Sequence, residues 1–249
     1  MIRVIAAREL RGLFLSPLAW TLLAVTEALL AWIFLILVND FQNARGRLAA
    51  LEHAPGVTDL VVAPLFRVAA WALLLLAPLL TMRLFSEEQR TGTLDLLLSA
   101  PVRASQIVLG KYLGVLTFLL SAVALMALMP LTLMAGATLD GGKLLAGLLG
   151  LSLLAASCAA AGLYLSSLTA QPIVAATATF GLLLAFWIVD VGAGRGTASE
   201  LNGYLSLPRH NDALLLGLVR SEDVAYYLLF SVAFLGLTIR RLDNLRLRG

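Results

Sequence analysis

The sequence predicts an all-α integral membrane protein, and three observations carry that expectation. Of its 249 residues, 60% are hydrophobic and only 13% are charged, against roughly 25% charged in soluble domains. The mean hydropathy is +0.92, which is more apolar surface than a soluble globule could cover with so few polar groups. The apolar residues also fall into about six long unbroken runs that do not alternate with polar ones, so the spans satisfy their backbone polar groups as helices and not as a barrel.

Residues 1–15 set Arg3, Arg8, Glu9 and Arg11 among Ile2, Ile5, Leu10 and Leu13. This is the pattern of an interfacial helix lying on a membrane surface, not of a cleavable signal segment. Ser16-Pro17 breaks it. Spans are expected at about 18–38, 65–82, 107–135, 144–168, 173–191 and 224–239, with Pro78 kinking the second and Pro130 near the end of the third. The polar stretch 39–64, broken by Pro55-Gly56, reads as a loop. Leu139-Asp140-Gly141-Gly142 and Thr169-Ala170-Gln171-Pro172 read as tight turns. Residues 192–223 read as a second loop, but Leu214, Leu215, Leu216 and Leu218 are too apolar for a free one. A short helix dipping into the membrane or lying flat on it fits them. No linker or second domain interrupts residues 1–249, which read as one transmembrane unit.

The 18 Lys and Arg set the expected orientation. Eleven of them, in 1–15, in 83–111 and at Arg240, Arg241, Arg246 and Arg248, fall on one side, and seven fall on the other. The positive-inside bias places both termini and residues 83–111 in the cytoplasm. Membrane topology accounts for these cations better than nucleic acid does.

The sequence offers no recognisable catalytic constellation, so a non-catalytic transmembrane subunit is expected. There is no G-x-x-x-x-G-K-[ST] phosphate loop, no H-E-x-x-H, and no paired carboxylate or nucleophile with a base at membrane depth. Any ATP hydrolysis must come from another chain. The single cysteine, Cys158, reads as a small packing residue. His53 and His210 read as surface residues of the loops, with His210-Asn211-Asp212 available to an accessory protein. Met126, Met129 and Met134 invite a copper reading, but their spacing does not put all three on one helix face. Small residues over 152–162 and 175–179 read as close helix packing. Glu27, near the middle of the first span, stands between two readings: a residue of a translocation pathway, or a protonated or hydrogen-bonded packing residue.

The most informative stretch is Arg83–Arg103, RLFSEEQRTGTLDLLLSAPVR. Ser86 and Gln89 have capping-box spacing. Thr91-Gly92 interrupts, and Thr93 can cap a second short helix with Asp95 in its first turn and Leu94, Leu97 and Leu98 on one face, ended by Pro101. The run Glu87-Glu88-x-Arg90-Thr91-Gly92-Thr93-Leu94-Asp95, continued to Ser99-Ala100-Pro101 and by Ile107-Val108-Leu109-Gly110-Lys111, resembles the signature of type-2 ABC transporter permeases. Ser16-Pro17, Ser166-Ser167-Leu168-Thr169-Ala170-Gln171 and 217–227 are similar to the gliding-motility and copper-maturation branch of that family.

The resemblance implies a permease in a bacterial inner membrane, paired with a second copy or a similar permease. Two ATP-binding subunits would sit on its cytoplasmic side and hold the ATP and Mg, so the chain itself carries no cofactor. It further implies a coupling helix between spans two and three, with Glu87, Glu88, Arg90, Gly92, Thr93 and Asp95 touching the ATPase and Arg8 and Arg11 bracing it. An accessory periplasmic protein is also implied, and lipid is the remaining partner. The alternatives are a stand-alone secondary carrier or channel, which has no need of the cytoplasmic motif, and a membrane anchor for a periplasmic assembly.

Overall fold

A computed structural model describes residues 1–48, 56–99, 101–136, 138–193 and 204–247. His53 lies outside them, as do the side chains of Asp95, Leu98 and Asp190. The described residues are helical and contain no strand. The helices are α1 (Ile2–Leu15), α2 (Pro17–Leu48), α3 (Ala63–Thr81), α4 (Arg83–Thr91), α5 (Thr93–Ser99), α6 (Ala104–Thr132), α7 (Gly141–Ser166), α8 (Pro172–Ala193), α9 (Leu207–Leu215) and α10 (Ser221–Arg246). Six stretches, on α2, α3, α6, α7, α8 and α10, are long and apolar enough to cross a bilayer. The even number puts both chain ends on one side, the terminal face, opposite the far face.

Proline shapes the entry to the bundle. Ser16 is extended (φ −79°, ψ 118°), and Pro17 opens α2, where a missing N–H costs nothing. The first correction concerns α2, which continues ten residues past the expected end at 38. Asn39, Gln42, Asn43 and Arg45 do not break a helix, so hydropathy marks where lipid contact ends and not where the helix ends. A 32-residue helix is about 48 Å long against a hydrocarbon core of about 30 Å. The second span opens with a wide π-helical turn, Thr58–Val62, before α3 begins. Thr58 Oγ1 accepts from the backbone N–H of Asp140 (3.0 Å), and Asp59 pairs with Lys143 at 2.6 Å, which fixes that turn to the start of α7.

The bundle is organised around α7. Its most apolar window is 67% buried, whereas that of α2 is 11% buried, so α7 is the central helix and α2 a peripheral one. The small residues let neighbours come close, as their composition predicts. A Cβ on Gly162 would lie 2.8 Å from the Cβ of Thr81 on α3, and one on Gly150 would lie 3.1 Å from Leu214 on α9. Polar contacts between spans include a buried hydrogen bond between Ser157 and Ser231 at 3.2 Å and a half-buried one from the Tyr112 hydroxyl to the Ala156 carbonyl at 3.2 Å. Met126 is in the core while Met134 is 63% exposed, so the three methionines do not converge.

The short helix expected within 192–223 is present among its described residues. Within 192–223 lies α9, capped by Ser206, whose Oγ accepts from the Arg209 N–H at 3.3 Å. It is closed by Gly217 in the left-handed region (φ +83°), with Leu218 N–H donating to the Ala213 carbonyl. The helix rests on α7 with Leu214 and Leu215 buried, while Leu216 and Leu218 are exposed. His210 corrects the surface reading. It is buried, with Nδ1 2.5 Å from Asp223 Oδ1, Nε2 3.1 Å from the Tyr204 carbonyl oxygen, and its ring stacked on Tyr226 at 4.2 Å. The polar letters around it hid a contact that fastens α9 to the head of α10.

The packing predicts a sharp difference between two glycines. Gly162→Ala forces its methyl onto the buried Thr81, which is itself held by a 2.8 Å bond to the Ala77 carbonyl, and is expected to destabilise the fold by about 1–3 kcal/mol. Gly181→Ala, with nothing within 4 Å, is expected to be neutral or stabilising. Thermal unfolding of both variants in one detergent checks this.

Candidate functional site

The residues singled out by the sequence, Glu27 apart, lie on the terminal face, around the point where α3 passes into α4. Met82 keeps helical angles, so the two helices nearly run on. Their backbone ladder is opened by a side chain from another span. Ser166 Oγ accepts from the backbone N–H of Phe85 (3.0 Å) and Ser86 (3.1 Å), and donates to the Met82 carbonyl (3.0 Å). Gln89 Nε2 donates to the Ser167 carbonyl (2.8 Å), which fixes the next turn of α4 to the same corner. The expected capping box is not made, because α4 has no free start to cap. Ser86 Oγ donates to the Met82 carbonyl, and Gln89 is spent on Ser167.

At its other end α4 stops at Gly92, the left-handed C-cap (φ +70°), a conformation that β-branched residues resist. Thr91 Oγ1 donates to the Glu87 carbonyl (2.9 Å) and lies 3.0 Å from Thr93 Oγ1. Thr93 is the first residue of α5 and turns its hydroxyl back toward α4. Thus Thr91-Gly92-Thr93 is a tight elbow between two short helices. Leu94 is buried beneath it. Arg246 at the end of α10 donates to the Val102 carbonyl (3.1 Å) and reaches the link from α5 to α6.

Behind the elbow sits a buried cation. Lys111, near the start of α6, is 2% exposed. Its Nζ donates to Glu88 Oε1 on α4 (2.7 Å), Glu9 Oε1 on α1 (2.9 Å) and the Leu84 carbonyl (2.9 Å), and it lies 5.2 Å from the centroid of the Phe85 ring. All three ammonium protons are used. Arg8 adds a looser contact to Glu88 at 3.8 Å. The approach of α1 depends on Gly110 and Gly114, four residues apart on the face of α6 that α1 covers. A Cβ on Gly110 would lie 2.7 Å from that of Ile5, and one on Gly114 would lie 2.8 Å from that of Glu9.

The sequence-predicted residues therefore divide. Glu88 and Arg8 join the internal node, with Glu88 turned inward. Glu87 is half-exposed and pairs loosely with Arg90 at 3.8 Å; Arg90, Gly92 and Thr93 are exposed on the elbow. Arg11 is exposed on α1, and Asp95 belongs to α5 with its side chain outside the described residues. Glu27 is remote from this region. It shares the inward stripe of α2 with Ala19, Leu23 and Leu30, and its Oε1 is enclosed without a hydrogen-bond partner. Sequence reasoning missed the roles of Glu9 and Lys111. The available signal was Gly110-Lys111-x-x-Gly114, a charge between two small residues at close-packing spacing.

Removal of one member of a buried ion cluster leaves uncompensated charge. Lys111→Met is expected to destabilise the protein by about 3 kcal/mol or more. The triple variant with Glu9→Gln and Glu88→Gln, which removes the stranded carboxylates, is expected to recover much of that loss. Thermal unfolding of the single, double and triple variants measures the coupling.

No curated protein matches the chain. Residues 5–239 match the family model described as ABC-2 family transporter protein, a span that takes in the node, the elbow and nearly all of the six membrane helices. The chain therefore belongs to the ABC-2 transporter family and is a membrane permease of the type-2 ABC kind.

Proposed function

We propose that this permease couples ATP hydrolysis by a separate ATP-binding subunit to movement of a substrate, or of force, across the bacterial inner membrane. The terminal face is cytoplasmic on this reading, in keeping with the eleven cations counted there. The observation that carries the reading is the bracing of the α4–α5 elbow. α4 continues α3, is opened by Ser166 at the end of α7, and is tied through Glu88 and Lys111 to α1 and α6. A push on α4 therefore reaches three spans and the surface helix at once. An ordinary loop resting on a membrane has no need of such ties, and neither has a stand-alone carrier.

The residues take two roles on this reading. Glu87, Arg90, Gly92, Thr93 and Asp95 form the contact surface for the ATP-binding subunit, which holds ATP and Mg²⁺. Glu88, Arg8, Glu9 and Lys111 transmit the displacement, and Arg11 lies at the margin. Two permeases, identical or related, pair with two ATP-binding subunits, and α2 is the span with the most surface left for such pairing or for lipid.

The test is capture of the tagged chain from membranes in mild detergent, with mass spectrometry of what accompanies it. An ATP-binding subunit is expected in the eluate. Charge reversal at Glu87 and Arg90 is expected to reduce its recovery at least tenfold while the permease stays folded. Recovery of the chain alone, with transport intact, would replace this reading with that of a secondary carrier.

A further inference from the structure

A cavity of about 780 Å³ lies at the far face, remote from the node. Three features of the fold border it. The first is the continuation of α2 beyond its apolar stretch, which carries Phe41, Gln42 and Arg45 above the span. The second is the π-helical turn Thr58–Val62 at the head of α3, which places Val61 in the wall and is fastened to α7 by Thr58 and Asp59. The third is the end of α6, where Pro130 is followed by the tight 3₁₀ turn Leu133–Ala135 and Gly136. The cavity lies between these three elements.

Its lining combines two chemistries. Phe41, Val61, Leu133 and Met134 give it an apolar body, and Met134 is 63% exposed to it and to the surroundings. Gln42 and Arg45 sit toward the tip of the α2 extension, and among the described residues Arg45 is the one formally charged member of the lining. Among the described residues no carboxylate pairs with Arg45, and Asp40 on the same helix is not part of the wall. The volume lies within the roughly 300–1,000 Å³ of small-molecule sites. The cavity opens where the apolar stretch of α2 gives way to polar residues, which is the level of lipid headgroups on that face.

We propose that this cavity binds an anionic phospholipid of the far leaflet, with its acyl part against Phe41, Val61, Leu133 and Met134 and its phosphate on Arg45 and Gln42. A guanidinium with no carboxylate partner among the described residues is a forked donor matched to phosphate oxygens, and the adjoining apolar wall selects an amphiphile over a soluble anion. A zwitterionic lipid carries its own cation beside the phosphate and gains less from Arg45. The inference does not rest on the coupling role assigned to α4, since it concerns the opposite face.

The test uses the full chain, stripped of lipid in a neutral detergent. It is titrated with dioleoyl phosphatidylglycerol, dioleoyl phosphatidylcholine and glycerol 3-phosphate, and bound molecules are counted by native mass spectrometry. Phosphatidylglycerol is expected to bind at least tenfold tighter than phosphatidylcholine. Arg45→Gln, at an exposed position, is expected to erase that preference, whereas Arg240→Gln, which removes a cation from the terminal face, is expected to keep it. Met134→Trp narrows the apolar wall and is expected to weaken both lipids. The proposal is overturned if R45Q binds phosphatidylglycerol as tightly as the parent chain, or if R240Q loses as much as R45Q. It is equally overturned if glycerol 3-phosphate competes on equal terms with the lipid, for the site would then be one for soluble anions.

Discussion

A single buried ammonium group sets the arrangement of the terminal face. Lys111 stands at the head of an otherwise apolar helix and is almost fully enclosed. An ion there is tolerated only where its hydrogen-bonding capacity is filled and its charge opposed. Its three acceptors come from α1 and α4, which lie far from it in sequence and from each other. The desolvation cost of the lysine thus becomes a constraint on geometry: α1, α4 and α6 must adopt one mutual placement, or a charge is left stranded. The glycines that flank Lys111 supply the steric half of the same constraint, since neither bond forms unless α1 comes close enough for Glu9 to reach. One five-residue stretch of α6 carries both halves.

The opposite end of the molecule is held by different means. The His210–Asp223 contact, the stacking of His210 on Tyr226 and the Asp59–Lys143 pair fasten short elements to the heads of long ones. The lipid-level interior between the two ends has almost no polar traffic beyond Ser157, Ser231 and Tyr112, and relies on glycine, alanine and serine for close approach. In a membrane, where no hydrophobic force draws one apolar helix to another, such packing is the main source of cohesion. Polar fastening therefore concentrates where water is near, and shape complementarity serves the rest.

Much of this was legible in the sequence, for identifiable reasons. Span positions follow from transfer of apolar side chains into lipid, a one-dimensional property, and Pro17, Gly92 and Pro101 mark breaks because their backbone preferences are local. Contacts made at a distance were not legible. Ser86 and Gln89 look like a cap when read as neighbours, but Ser166, eighty residues on, has taken over the backbone groups they would have served. His210 looks like a loop residue because its partner Asp223 belongs to the next helix. The α2 extension was missed because polar residues end a span without ending a helix. Lys111 was read as part of the family signature, and only the fold shows it to be enclosed.

The peripheral placement of α2 has a bearing on biogenesis. Its most apolar window has a hydropathy of 2.4, the highest of the six, yet only 11% of that window is covered by the rest of the chain. Such a helix is at home in lipid before any partner helix exists, so it can leave the ribosome, insert and wait. α7, the most enclosed of the six, has the opposite character, with a surface of small residues that finds its complement only once α3, α6, α9 and α10 surround it. The first span is thus equipped to act as the founding anchor of membrane insertion, and the fourth as the template on which later helices condense.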